Sequence, residues 1–214
     1  MNKLSWMLAT TALALGGALA PAARAADKPS VDITPYLGYR MGGQFDVDNP
    51  QAGSSSSADL QDSSSWGVDF GIYRDATSFY EFLYSQQSTN LDTDDPSLKR
   101  VDVKTEYYQL GGTLLYPQDT WFVPYFSLTA GATRFDAQKG GSETKFSGSL
   151  GGGLRIPFNE NFSMTLGLRG YLTAVSSDSQ FFCAGGGGSA TCLLKASGST
   201  LFQGEALIGL SASF

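Results

Sequence analysis

The sequence predicts an all-β fold, an eight-stranded antiparallel up-and-down transmembrane β-barrel, and three observations carry that reading. Apolar and polar residues alternate with a period of two in eight separate segments, tight turns and long polar stretches take turns in connecting them, and the apolar face of the alternation is almost free of charge. Composition fits a surface that excludes charge: only 16% of the 214 residues are charged, against about 25% in an average soluble domain.

Residues 1–25 read as a secretory signal, with Lys3 as the basic end, an apolar run from Leu8 to Ala20, and Ala23-Arg24-Ala25 as the cleavage site. The run is shorter than the roughly 20 residues a spanning helix needs. Residues 26–214 then form one barrel domain. Its strands are expected near 31–41, 65–74, 78–88, 102–116, 121–135, 145–157, 162–175 and 200–214. In the second of these, Trp66, Val68, Phe70 and Ile72 oppose Ser65, Gly67, Asp69 and Gly71. In the seventh, Phe162, Met164, Leu166, Leu168, Gly170 and Leu172 oppose Ser163, Thr165, Gly167, Arg169, Tyr171 and Thr173. Residues 74–77, 117–120 and 159–161 carry the Pro, Asp and Asn chemistry of tight turns. By contrast, 42–64, 89–101, 136–144 and 176–199 are long, polar and rich in Gly, Ser and Asp. An even strand count puts both termini on the short-turn side, and closure into a barrel leaves no free edge.

Alternation by itself does not say which face is outside. A soluble barrel would show water many Lys and Glu on its polar face, whereas here that face is small: Ser147, Ser149, Gly151 and Gly153, then Ser163, Thr165 and Gly167. Small residues suit a narrow lumen. The apolar face has no charge through 66–72, 162–174 or 202–214, as contact with hydrocarbon requires. Tyr73, Phe79, Tyr80, Tyr116, Trp121, Phe122, Phe158, Phe162 and Phe214 cluster at the short-turn ends, as an interfacial girdle would. Pro35 and Pro124 each remove a ladder donor, and both sit near strand starts where the rim tolerates the loss.

The stretches VDITPYLGYRMGG, YYQLGGTLLYP, FSGSLGGGLRIP, FSMTLGLRGYLT and the ending GEALIGLSASF, in that order, resemble the small eight-stranded outer-membrane barrels of Gram-negative bacteria, the family that includes OmpX, OmpW and the barrel half of OmpA. The resemblance implies a place in the outer membrane with both termini periplasmic. It also implies that Phe214 and the alternating residues before it are the signal read by the barrel-insertion machinery. The chain stops at its eighth strand, so the peptidoglycan-binding domain that follows the OmpA barrel is not expected.

Six charges are expected inside the barrel: Arg40, Asp69, Glu81, Arg155, Arg169 and Glu205. Counted up from the short-turn rim, Arg40, Glu205 and Arg169 fall at similar heights on adjacent strands, which predicts one ion-pair cluster, with Asp69, Glu81 and Arg155 in a lower layer. Such charges either plug the lumen or line a conduction path or proton site. Cys183 and Cys192 flank Gly185 to Gly188 in the last long connection. An oxidising compartment points to a disulfide over two free thiols or half a metal site.

Chemistry of other kinds is not expected. The chain has no His, which removes imidazole-based catalysis and His-ligated metal, and with it the His-dependent enzymes built on such barrels. Its 14 basic and 20 acidic residues argue against nucleic acid. Asp92, Asp94 and Asp95 lack the glycine and glutamate of a calcium loop, since Pro96 stands where the turn glycine is needed. Asp46, Asp48, Asp59 and Asp62 fare no better as a metal site; there, with Lys99 and Arg100, divalent cations shared with lipopolysaccharide phosphates are the contact to consider. No cofactor is expected. The expected role is structural or surface interaction, a rigid barrel displaying four extracellular loops whose partner the sequence leaves unnamed, and the alternative is an OmpW-like conduit for small molecules or ions.

Overall fold

The computed structural model describes residues 30–49, 54–93, 101–137, 141–175, 180–184, 191–195 and 200–214. The expected signal at 1–25 lies outside them, as do Asp94, Asp95, Lys99, Arg100 and Gly185 to Gly188. The strands are β1 (Val31–Met41), β2 (Gln44–Asn49), β3 (Ser54–Leu60), β4 (Ser63–Asp75), β5 (Ser78–Thr93), β6 (Val101–Leu115), β7 (Val123–Ala137), β8 (Gly141–Pro157), β9 (Phe162–Ala174), β10 (Gln180–Ala184), β11 (Thr191–Lys195) and β12 (Thr200–Ser213). Eight of them run antiparallel in the order β5, β4, β1, β12, β9, β8, β7, β6, and pairing of β6 with β5 closes the barrel. The predicted strand boundaries hold closely on the short-turn side.

The four long connections are less loop-like than their composition suggests. The segment 42–64 folds into the β2–β3 hairpin, which adds to the upper part of β5 through Ala58↔Thr93 and Leu60↔Leu91. The segment 176–199 holds the β10–β11 hairpin. Strand β5 continues to Thr93, and β7 and β8 pair out to Ala137↔Gly141. Ser-, Thr- and Asp-rich stretches carry no apolar alternation once both faces meet water, but their backbone groups still need partners, and the neighbouring strands provide them.

Register fixes the geometry of the closed wall. Following paired residues once around, Val31, Ile72, Tyr80, Gly112, Leu128, Leu150, Gly170 and Gly204 lead back to Met41 on β1. The return is displaced by 41 − 31 = 10 residues. With strands about 4.8 Å apart and about 3.3 Å of rise per residue, that shear implies a tilt of about 40°. Each step to the next strand therefore changes height by about 3 Å.

The alternation points as predicted. Leu37, Leu110, Leu128, Leu168, Ile208 and Leu210 face outward, with Leu168 at 69% exposure. Ser65, Ser85, Gln109, Thr129, Ser147 and Thr165 face inward and are buried. The girdle differs in part. Tyr80, Tyr116, Trp121, Phe158, Phe162 and Phe214 are exposed on the outer wall, but Phe79 is buried and packs against Tyr73 inside, with ring centroids 5.3 Å apart. Both stand at odd positions of β4 and β5, the same parity as Asp69 and Glu81, so clustering near a turn does not decide which way a ring points. A second aromatic belt lies at the opposite end, where Tyr84 meets Trp66 edge on at 5.5 Å and Tyr108 at a tilt at 5.1 Å.

The short turns are held by their own side chains. The Asp75 carboxylate accepts hydrogen bonds from the Ser78 hydroxyl (2.6 Å), the Thr77 N–H (2.8 Å) and the Thr77 hydroxyl (2.9 Å), and these donors, Ser78 first, hold its carboxyl down at about 2. Asn159 accepts the N–H groups of Asn161 and Phe162 at 2.9 and 2.8 Å. At the far end Gly42 and Gly43 take φ of 78° and 112° to turn β1 into β2, a conformation that costs glycine little. Pro35 sits where the β1–β12 ladder breaks between Ile33↔Ala212 and Tyr36↔Gly209. There the Thr34 hydroxyl bridges to Ser211 at 2.7 Å.

Candidate functional site

The lumen is where the charged side chains converge, and it is filled in three layers. Nearest the short turns, Arg155 grips Asp32 with both terminal nitrogens, Nη1 to Oδ2 at 2.8 Å and Nη2 to Oδ1 at 3.0 Å. Ser213 and Thr34 donate to the same carboxylate at 2.7 and 2.9 Å. The guanidinium lies 5.5 Å from the Phe79 ring and donates to the Tyr73 hydroxyl at 3.3 Å, so the two inward aromatics floor the barrel.

In the middle layer, Nη2 of Arg169 reaches Glu81 Oε1 at 2.9 Å and Asp69 Oδ2 at 3.3 Å. Thr113 donates its hydroxyl to Glu81 Oε2. A cavity of about 20 Å³ remains here, bordered by Asp69, Glu81, Tyr125, Thr165 and Arg169 among others. That is room for about one water molecule. Close packing around it shows in the glycine opposite: Gly167 lies under the Tyr125 hydroxyl, where any Cβ would collide with it.

The upper layer is built on Arg40, which is fully buried. Its guanidinium lies 4.9 and 4.7 Å from the Tyr107 and Tyr171 rings, which are themselves stacked at 4.2 Å. Nη2 donates to Glu205 Oε1 at 2.8 Å and to the Ser85 hydroxyl. Glu205 also accepts from Ser65 at 2.6 Å and from the Tyr171 hydroxyl at 2.7 Å. Above, the Tyr107 hydroxyl donates to Gln203, and Gln203 to Gln87. Tyr36 and Leu83 pack with these rings and Leu207 into one buried cluster.

The six charges expected inside are therefore all inside, but grouped differently. Backbone register does put Arg40, Glu205 and Arg169 in one row, since Arg40↔Glu205 and Glu205↔Arg169 are direct partners. The row descends about 3 Å per strand because the strands tilt. Arg40 consequently takes Glu205, while the side chain of Arg169 extends to Asp69 and Glu81 across the lumen. Arg155 belongs to neither expected group, because its partner is Asp32, a residue outside the expected set. The parity of Asp32 gives it away: Asp32, Thr34, Tyr36 and Arg40 alternate with outward Ile33, Leu37 and Tyr39. Likewise the lumen is not filled by small residues alone, since Tyr36, Tyr107 and Tyr171 stand on the inward parity and are buried there. Cys183 and Cys192 belong to a two-stranded sheet separate from the barrel wall and stand directly opposite each other in the β10–β11 ladder.

Comparison with known proteins agrees with this architecture. Residues 10–200 match the family described as outer membrane protein beta-barrel domain. No curated protein matches the chain. Among solved structures, OprG from Pseudomonas aeruginosa is similar at 14% identity over 87% of this chain and 97% of that one, with a TM-score of 0.55. AlkL, solved by solid-state NMR in lipid bilayers, is similar at 13% identity over 93% and 97%, with a TM-score of 0.55. Neisserial surface protein A is similar at 14% identity over 86% and 97%, with a TM-score of 0.53. At such identities the likeness is one of fold.

Proposed function

The chain belongs to the outer membrane protein beta-barrel domain family, and from that footing we propose that this outer-membrane barrel is a sealed scaffold that carries strands and hairpins outside the cell, with both termini in the periplasm. One observation carries the reading. Among the described residues, the three ionic layers and their tyrosines close around a mid-lumen cavity of about 20 Å³, room for about one water and not for a solute. The orientation is supported by asymmetry: the start of the first barrel strand and the end of the last pair at the short-turn end (Phe214 N–H to Val31 O, 2.9 Å), while β5, β7 and β8 continue beyond the opposite aromatic belt. Recognition by displayed segments on a rigid barrel is a common arrangement.

Membrane partners follow from the outer wall. Lys104 and Arg134 are about half-exposed just past the Trp66, Tyr84 and Tyr108 belt, paired to Glu106 at 2.8 Å and to Asp136 at 3.4 Å. That is the level at which lipopolysaccharide phosphates would meet them. Insertion would proceed through the barrel-assembly machinery with Phe214 as its signal. In planar bilayers the purified barrel is expected to give no stable current steps; reproducible open levels would overturn the sealed reading in favour of a conduit.

The same reading includes a disulfide between Cys183 and Cys192, supported by their direct pairing across the ladder and by the oxidising compartment. Closing a loop of about ten residues contributes roughly 2–3 kcal/mol in the chain-entropy model. The exported protein should resist a thiol alkylator until it is reduced, and full labelling beforehand would remove the disulfide from the account.

A further inference from the structure

The charges of the lumen do not balance. Among the described residues its membrane-spanning part holds four carboxylates, Asp32, Asp69, Glu81 and Glu205, against three guanidiniums, Arg40, Arg155 and Arg169. A net charge enclosed by a low-dielectric wall is costly, and buried carboxyls commonly take up a proton to avoid it.

Hydrogen bonding says which carboxyl group is left over. Asp32 receives two bonds from Arg155 and one each from Ser213 and Thr34. Glu205 receives Arg40, Ser65 and Tyr171. Both are fully served as anions. Asp69 and Glu81, in contrast, divide a single nitrogen of Arg169, at 3.3 and 2.9 Å. Oδ1 of Asp69 is enclosed and has no partner. Nε and Nη1 of Arg169, a residue only 4% exposed that lines the small cavity, have none either.

We propose that the mid-lumen binds one proton, held by Asp69 against Glu81, with one water in the adjoining cavity taking up the free Arg169 donors. The proton is drawn from solvent as the barrel closes and forms an O–H bond on Asp69; no other bond is made or broken. The plug is then neutral. Two carboxyls gathered on one nitrogen share a proton because both cannot ionise side by side. The other ionisable groups around the site are Tyr36 from β1, Tyr125 from β7, Arg169 and Tyr171 from β9 and Glu205 from β12, with Asp32 and Arg155 bounding the cavity below. The site stands on the lumen geometry and holds whatever the extracellular segments bind.

Infrared spectroscopy of the folded barrel in detergent micelles tests this at about pH 8, roughly four units above ordinary carboxyl values. The wild-type barrel should show the carbonyl stretch of a neutral carboxylic acid, shifting in D₂O. Asp69→Asn and Glu81→Gln should each abolish it, because either change restores charge balance. A wild-type spectrum without the band overturns the proposal, and so does a band that survives both substitutions or disappears only in Asp69→Asn. Should the variants not fold, titration of the wild type decides: the band should vanish in one step as pH rises and resistance to urea should fall with it. A missing band with stability that follows sodium or potassium concentration would assign the site to a cation instead.

Discussion

Arg40→Met is expected to destabilise the barrel by about 3–5 kcal/mol, the cost of leaving a buried carboxylate without its cation. The substitution removes the one guanidinium that Glu205 has among the described residues and vacates the space beside the Tyr107 and Tyr171 rings, while Ser65 and Tyr171 remain as neutral donors to a buried charge. Arg40→Met combined with Glu205→Gln should recover most of the loss, because the pair as a whole is worth much less than either half stranded. Urea titration of folding into lipid vesicles, followed by tryptophan fluorescence, measures both. A single variant within about 1 kcal/mol of wild type, or a double variant no better than the single, would refute the assignment of Arg40 and Glu205 as a closed ion pair.

On the other side of the wall, Leu168→Arg is expected to cost about 2–4 kcal/mol, the penalty for a cation near the bilayer midplane on a barrel surface. Leu168 stands halfway along β9, outward and 69% exposed to what surrounds the barrel. The same change at Phe162, at the short-turn interface of that strand, should cost only about 0–1 kcal/mol. Depth is the variable that matters. In water both substitutions would be nearly neutral surface changes, so a gradient between them reports the membrane directly, and equal costs would argue against the assigned lipid-facing wall.

The two predictions differ in how far the sequence alone reaches them. Leu168 is legible: a period of two with no charge on one face of 162–174 is enough to identify the lipid side. The contents of the lumen are legible by parity, and all six charges expected there are there. Their partners are not. Heights counted along each strand place Arg40, Glu205 and Arg169 in one group, as the backbone register does, yet the shear of ten residues tilts that row, and side chains as long as arginine's bond across the lumen rather than along it. Asp32 escapes the pattern although its parity matches that of Arg40, because it sits beside the strand's first residue, where alternation has only begun. The long polar connections read as loops because their chemistry has no apolar face, and only pairing with neighbours shows the β2–β3 and β10–β11 hairpins.

Sequence by itself determined the number of barrel strands, their turns, the face that meets lipid and the six charges it assigned to the lumen. All of these follow from local periodicity, which needs only neighbours in the chain. Tertiary structure decided how closely side chains pack around the small mid-lumen cavity and which carboxylate each guanidinium holds, with Asp69 and Glu81 left to share Arg169 among the described residues. Those depend on shear and closure, which bring residues as far apart as Asp32 and Arg155 within 2.8 Å, and no local pattern encodes that distance.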